Sequence, residues 1–103
     1  MTIRWSYKAQ HQQDLTAEYI YSEFGEKALI EFYQKIDDIE KALSTFPEIG
    51  KIEPLLIAHE RTYRSLVVHR ISKLVYAVES DYIYIVALWD CRREPSSLAG
   101  EIG

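Results

Sequence analysis

Leu29-Ile30-Glu31-Phe32-Tyr33-Gln34-Lys35-Ile36-Asp37-Asp38-Ile39-Glu40-Lys41-Ala42-Leu43-Ser44-Thr45-Phe46-Pro47 carries the clearest periodicity in the chain. Leu29, Phe32, Ile36, Ile39, Leu43 and Phe46 follow one another at spacings of three, four, three, four and three residues. Charged and amide residues fill the gaps. That rhythm is one stripe of an α-helix that lays its apolar side on a neighbouring layer, and Pro47 ends it because a proline ring clashes with the preceding turn. The carboxylates Asp37, Asp38 and Glu40 interrupt the stripe and read as its solvated side. Upstream, Gln10 to Phe24 contains neither Pro nor Gly, places Leu15, Tyr19, Ile20 and Phe24 at helical spacing, and meets Gly25 as a stop. Two successive helices are therefore expected, with a short alternating strand before them in which Ile3, Trp5 and Tyr7 share one face.

Downstream the period changes. Tyr63 to His69, Ser72 to Val78 and Tyr82 to Asp90 are rich in Val, Ile, Leu, Tyr and Trp and are separated by short polar links, which predicts three strands joined by tight hairpins. The last is apolar on both parities, as expected of an interior strand covered on both faces. Residues 51–59 show no period, and Pro95 closes the strand region, leaving 96–103 as a flexible tail or short helical turn. The expected architecture is α+β, in the order β-α-α-β-β-β, a helical hairpin packed on a largely antiparallel twisted sheet. Residues 1–103 form one domain in this reading.

Composition agrees with one soluble domain. Of 103 residues, 48% are hydrophobic and 27% charged, and a chain this short has little volume to spare for a buried cofactor, so none is expected. No apolar run spans a bilayer and residues 1–8 lack the pattern of a signal peptide, which with the single cysteine, Cys91, points to the cytoplasm and to no membrane partner. The net charge of −4 argues against a broad phosphate-gripping surface. The charge is uneven, however: residues 1–58 hold six Lys+Arg and ten Asp+Glu, whereas 59–103 hold six of each, with five of the six arginines. An anion-binding surface belongs in that second half.

In this order and spacing, Asp14-Leu15, Phe46-Pro47-Glu48-Ile49-Gly50, Tyr63-Arg64-Ser65-Leu66-Val67-Val68, Lys73-Leu74-Val75-Tyr76-Ala77-Val78 and Ile83 to Asp90 followed by Arg92-Arg93-Glu94-Pro95 resemble the RelE/ParE toxin superfamily. Its members are the toxic halves of bacterial type II toxin-antitoxin, or plasmid stabilisation, pairs that regulate growth. The resemblance covers nearly the whole chain and implies the fold described above. It also implies a cognate antitoxin, with the toxin as a homodimer or in a heterotetramer with that antitoxin. In the RelE-like branch, which cleaves mRNA on the ribosome, Arg64, Lys73 and Arg92 or Arg93 would fall at the catalytic positions. The tail tyrosine or histidine of that branch would fall among residues 94–98, where the chain has neither. The ParE-like branch, described as binding DNA gyrase without chemistry, asks for no acid-base set and is the more similar. The resemblance also leaves room for a member with weak or lost toxicity.

Arg61, Arg64, Lys73, Trp89, Arg92 and Arg93 are accordingly the candidates for binding a target or antitoxin. Arg64 and Lys73, on neighbouring strands, would project together if register allows. Each has an ordinary reading beside it: solvated strand cations for the first pair, an exit loop for Arg92 and Arg93, core for Trp89. His11, His59 and His69 have no metal-ligand spacing, so no metal is expected. His69 suits either a general base or a hairpin surface, and Cys91, between Asp90 and Arg92, is a passive residue.

Overall fold

The computed structural model describes residues 1–102. The elements are β1 (Thr2–Trp5), α1 (Tyr7–Phe24), α2 (Glu26–Thr45), β2 (Lys51–Ile52), a 3₁₀ turn (Pro54–Leu56), β3 (Arg64–His69), β4 (Ser72–Val78), β5 (Tyr82–Asp90) and α3 (Ser96–Ile102). They make a five-stranded sheet in the order β1-β5-β4-β3-β2, with β1 parallel to β5 and the other pairs antiparallel. The expected α+β architecture is present, and β5 is an interior strand.

The first strand is shorter than its alternation suggests. Ser6 accepts a hydrogen bond from the Ala9 amide at 3.0 Å and so caps α1, which turns Tyr7 out of the strand and leaves it 98% exposed. Gly25 joins the helices at φ +89°, a conformation that costs a side-chain-bearing residue several times more than glycine, and its amide closes α1 on the Tyr21 carbonyl. Along α2 the stripe buries Phe32, Ile36, Ile39 and Leu43 and half-buries Leu29. Phe46, its expected last member, is exposed because the backbone leaves helical geometry there, before Pro47. Glu40 is likewise not part of a purely solvated side: its carboxylate accepts from the Trp5 indole at 2.6 Å, tying α2 to β1.

Two apolar cores sandwich the sheet. The helices cover one face over Leu74, Tyr76, Ile83, Ile85 and Leu88. On the other, Val75, Ala77, Ala87 and Trp89 are covered by Leu56, Tyr63 and Leu98. Leu98 belongs to α3, so of the two readings of this stretch, a flexible tail or a short helical turn, the structure has the helix, which runs through Ile102 and supplies a fully buried residue; Gly103 lies outside the described residues. Residues 51–59, without period in the sequence, hold the two-residue β2 and the 3₁₀ turn.

Candidate functional site

The cations of the strand half divide according to register. Arg64 pairs with Tyr76, whereas Lys73 pairs with Val67, an odd number of residues along β3 from Arg64. Alternation therefore sends the two side chains to opposite faces of the sheet, correcting the expectation that they could project together. Arg64 lies on the helix face, where its guanidinium donates to the carbonyls of Gly50 at 2.8 Å and Glu48 at 3.3 Å. Tyr76 works on the same loop: its hydroxyl donates to the Pro47 carbonyl at 2.8 Å and accepts from the Gly50 amide at 2.9 Å. Both side chains hold residues 47–50 against the sheet.

Lys73, on the other face, ion-pairs at 2.5 Å with Glu53, whose side chain is fully buried. Glu53 also accepts from the Ser65 hydroxyl at 2.9 Å and the Leu55 amide at 3.0 Å. Burial disfavours its charge, but the Lys73 ammonium and these two donors outweigh that and hold the Glu53 carboxyl below its ordinary value. Sequence reasoning passed over Glu53 because it lies in the stretch without period; its one signal is Pro54, which opens a 3₁₀ turn that the Glu53 carboxylate caps.

At the end of β5, Arg92 forms a two-pronged pair with Asp90, Nε to Oδ1 at 3.0 Å and Nη2 to Oδ2 at 2.8 Å. Arg92 also lies over the Tyr19 ring at 4.6 Å, beside a groove lined by Gln12, Leu15 and Thr16. The hydrogen bonds from Arg92 keep the Asp90 carboxyl below its usual range, against the opposing effect of burial. Arg93 covers the Trp89 ring at 4.5 Å and reaches Glu101 of α3 at 3.3 Å. Trp89 is only 2% exposed and serves the second core. Arg61 approaches Glu79 to 2.7 Å, off hydrogen-bond alignment. Gln12 is a further positioning residue that sequence reading missed: its side-chain carbonyl accepts the Leu88 amide at 2.9 Å, where β5 runs beyond the end of β1 and has no strand on that side.

Among the described residues, Arg70 is thus the one cation of residues 59–103 with neither a carboxylate nor a backbone carbonyl for a partner; it rests over the Phe24 ring at 5.1 Å. It borders a cleft on the face of Lys73, lined also by Lys51, Ser65, Val67 and Cys91. Burial pushes the Cys91 thiol up, away from a reactive thiolate, and burial together with Arg70 pushes the neighbouring His69 down. Among the described residues no three His, Cys, Asp or Glu side chains gather as a metal site, and no helix is long and apolar enough to cross a membrane.

No protein-family model and no curated protein sequence matches the chain. Solved structures do. A chain of the chromosomal ParDE TA system from P. aeruginosa is similar at TM-score 0.68 and 20% identity, covering 87% of this chain and 95% of that one. The YoeB dimer from Staphylococcus aureus is similar at TM-score 0.57 and 22% identity, over 85% and 93%. A YoeB/ParE toxin from Agrobacterium tumefaciens is similar at TM-score 0.61 and 18% identity, over 87% and 98%. The chain has the RelE/ParE-like fold that its sequence resembles.

Proposed function

We propose that the chain is the toxin of a type II toxin-antitoxin pair, of ParE-like type, acting in the cytoplasm by binding a protein target such as DNA gyrase and neutralised by a cognate antitoxin. Similarity of fold over nearly the whole length of a ParDE chain supports the pairing with an antitoxin. The observation that carries the choice of a binding mechanism over RNA cleavage is the occupation of the cations. Cleavage by attack of a 2′-hydroxyl needs free positive charge beside a proton-transfer group. Here the four cations at the positions the resemblance implies for cleavage are held, Arg64 by loop carbonyls, Lys73 by Glu53, Arg92 by Asp90 and Arg93 by Glu101, and Arg64 and Lys73 stand on opposite faces; the unpartnered Arg70, beside His69, lies outside that set. A binding toxin requires none of these groups to be free.

One observation favours the second reading, a ribosome-dependent endoribonuclease: Glu53 and Lys73 place a carboxylate and a cation together behind a cleft. Against it, a carboxylate held below its ordinary value by three donors is a weak base, and residues 94–98 offer no tyrosine or histidine. Induced expression in a bacterial host, with plasmid topology and mRNA 5′ ends followed together, tests the choice. The binding reading expects growth arrest with relaxed plasmid and intact messages. Codon-positioned cuts in translated messages would replace it with the second reading, and undisturbed growth would replace both with a member that has lost toxicity.

A further inference from the structure

We infer that the corner where α2 runs out above the sheet is the surface that grips the target protein, by receiving an apolar anchor of the target flanked by lysines or arginines. The site deepens the reading of the chain as a binding toxin and rests on it. Three observations converge. The first is a helix layer that stops short. The α2 backbone leaves helical geometry at Phe46, before Pro47, whereas β4 runs on to Val78, on the same face of the sheet as Leu74 and Tyr76. Met1, Thr45, Phe46, Pro47, Glu48 and Val78 line the open cavity of about 460 Å³ left there. Phe46 is 64% exposed, and Met1, Ile49 and Val78 are exposed as well, an apolar patch of the kind that marks contact with another molecule.

The second observation is that this exposed surface is held in place. The Tyr76 hydroxyl bridges the Pro47 carbonyl and the Gly50 amide, and the Arg64 guanidinium ties down the carbonyls of Glu48 and Gly50. On the other side, the Met1 nitrogen donates to the Ser44 carbonyl at 3.1 Å and the Ser44 hydroxyl donates to the Met1 carbonyl at 3.0 Å. Fixing apolar side chains in water works against folding, because it costs chain entropy and buries nothing. For binding, the same order is favourable, since a preformed surface has little freedom left to lose when a partner arrives. The third observation is charge. Glu48 gives Arg64 its carbonyl, so its carboxylate stays free, and neither it nor Asp81, three residues past Val78, has an ion-pair partner among the described residues. No Lys, Arg or His side chain lines the cavity, and the Met1 nitrogen is turned to Ser44. Such a rim repels nucleic acid and anionic lipid and favours a protein segment with basic residues around its apolar anchor.

The test uses the full chain and a short labelled peptide with tryptophan and leucine at its centre and lysines on both sides. One control peptide replaces the central pair with serines, and the other replaces the lysines with glutamates. Binding is read by fluorescence polarisation and the site by amide NMR shifts. The expected result is binding of the lysine peptide and of neither control, with shifts centred on residues 46–50 and Val78. Phe46→Ser should weaken it about tenfold, and Glu48→Lys with Asp81→Lys should weaken it too, all at exposed positions whose replacement leaves the urea midpoint in place. Absence of binding, equal binding of either control peptide, shifts along the outer side of α2 instead, or undiminished binding to Phe46→Ser would overturn the inference. Growth arrest on expression reports the toxin reading separately. A chain that arrests growth equally with and without Phe46→Ser refutes this surface alone, whereas a chain that binds the lysine peptide without arresting growth refutes the toxin reading alone.

Discussion

Replacing Lys73 with methionine keeps an unbranched side chain one atom shorter and removes its charge, leaving Glu53 fully buried with only the Ser65 hydroxyl and the Leu55 amide as partners. Breaking one half of a buried pair strands the other charge, and the cost is several kcal/mol. The Lys73 side chain keeps 18% of its exposure, so water softens the loss, and the expected destabilisation is about 3 kcal/mol. In a domain of this size that is a fall in Tm on the order of 15 °C. The pH dependence separates this cause from simple loss of packing. In the unaltered chain the folded-state pKa of Glu53 is depressed, so its contribution is fully present above the ordinary glutamate value of 4.5 and is lost as pH falls through the depressed value. Without Lys73 the hydrogen bond and charge that oppose burial most are gone, so the folded pKa of Glu53 rises from its depressed value and the variant loses less stability than the unaltered chain as pH falls from 7 through 4.5. Urea unfolding of both proteins across that range is the assay. Glu53→Gln combined with Lys73→Met removes both charges and should recover most of the loss at neutral pH. Parallel pH profiles for the chain and its Lys73→Met variant, or a double variant no more stable than the single one, would refute the reasoning.

The loop between α2 and β2 offers a second test: a Cβ on Gly50 would sit 2.8 Å from the Tyr76 hydroxyl and 2.9 Å from the Ser65 carbonyl, so Gly50→Ala should cost about 1–3 kcal/mol by urea unfolding. Tyr76→Phe, which leaves the Gly50 amide unpaired and buried, should cost about 1–3 kcal/mol by the same measurement. Leu98→Ala empties a fully buried position under α3 and should cost about 2–4 kcal/mol, with amide exchange accelerated first in Ser96–Ile102. Gln12→Ala removes the acceptor of the Leu88 amide and should speed exchange at Leu88 while leaving the far strand β3 unchanged.

Much of the fold is legible because its signals are local. The α2 stripe from Leu29 to Leu43, the stop at Gly25 and the three apolar runs after residue 63 each declare an element within a few residues of sequence. Signals with competing local meanings read less well. Tyr7 fits the strand alternation, but the Ser6 cap takes it into α1; Phe46 fits the helical stripe, but the chain has already turned. The stretch 96–103 reads as either a tail or a helical turn because Leu98 carries no pattern until the Trp89 face of the sheet is there to receive it. The candidate site was less legible still. The residue types were visible, but whether Arg64 and Lys73 meet depends on a register that Val67↔Lys73 fixes and the sequence does not display. Glu53, from an unpatterned stretch, decides the fate of Lys73, and only the pairings of the other cations single out Arg70 as unpartnered.

The central functional claim, that this chain acts by occupying a protein rather than by cutting RNA, is tested most directly with the purified chain in two parallel reactions. One contains DNA gyrase and relaxed plasmid, the other a translating ribosome system with a defined message. The account predicts inhibited supercoiling and an intact message. Full supercoiling together with cuts inside the translated codons would contradict it.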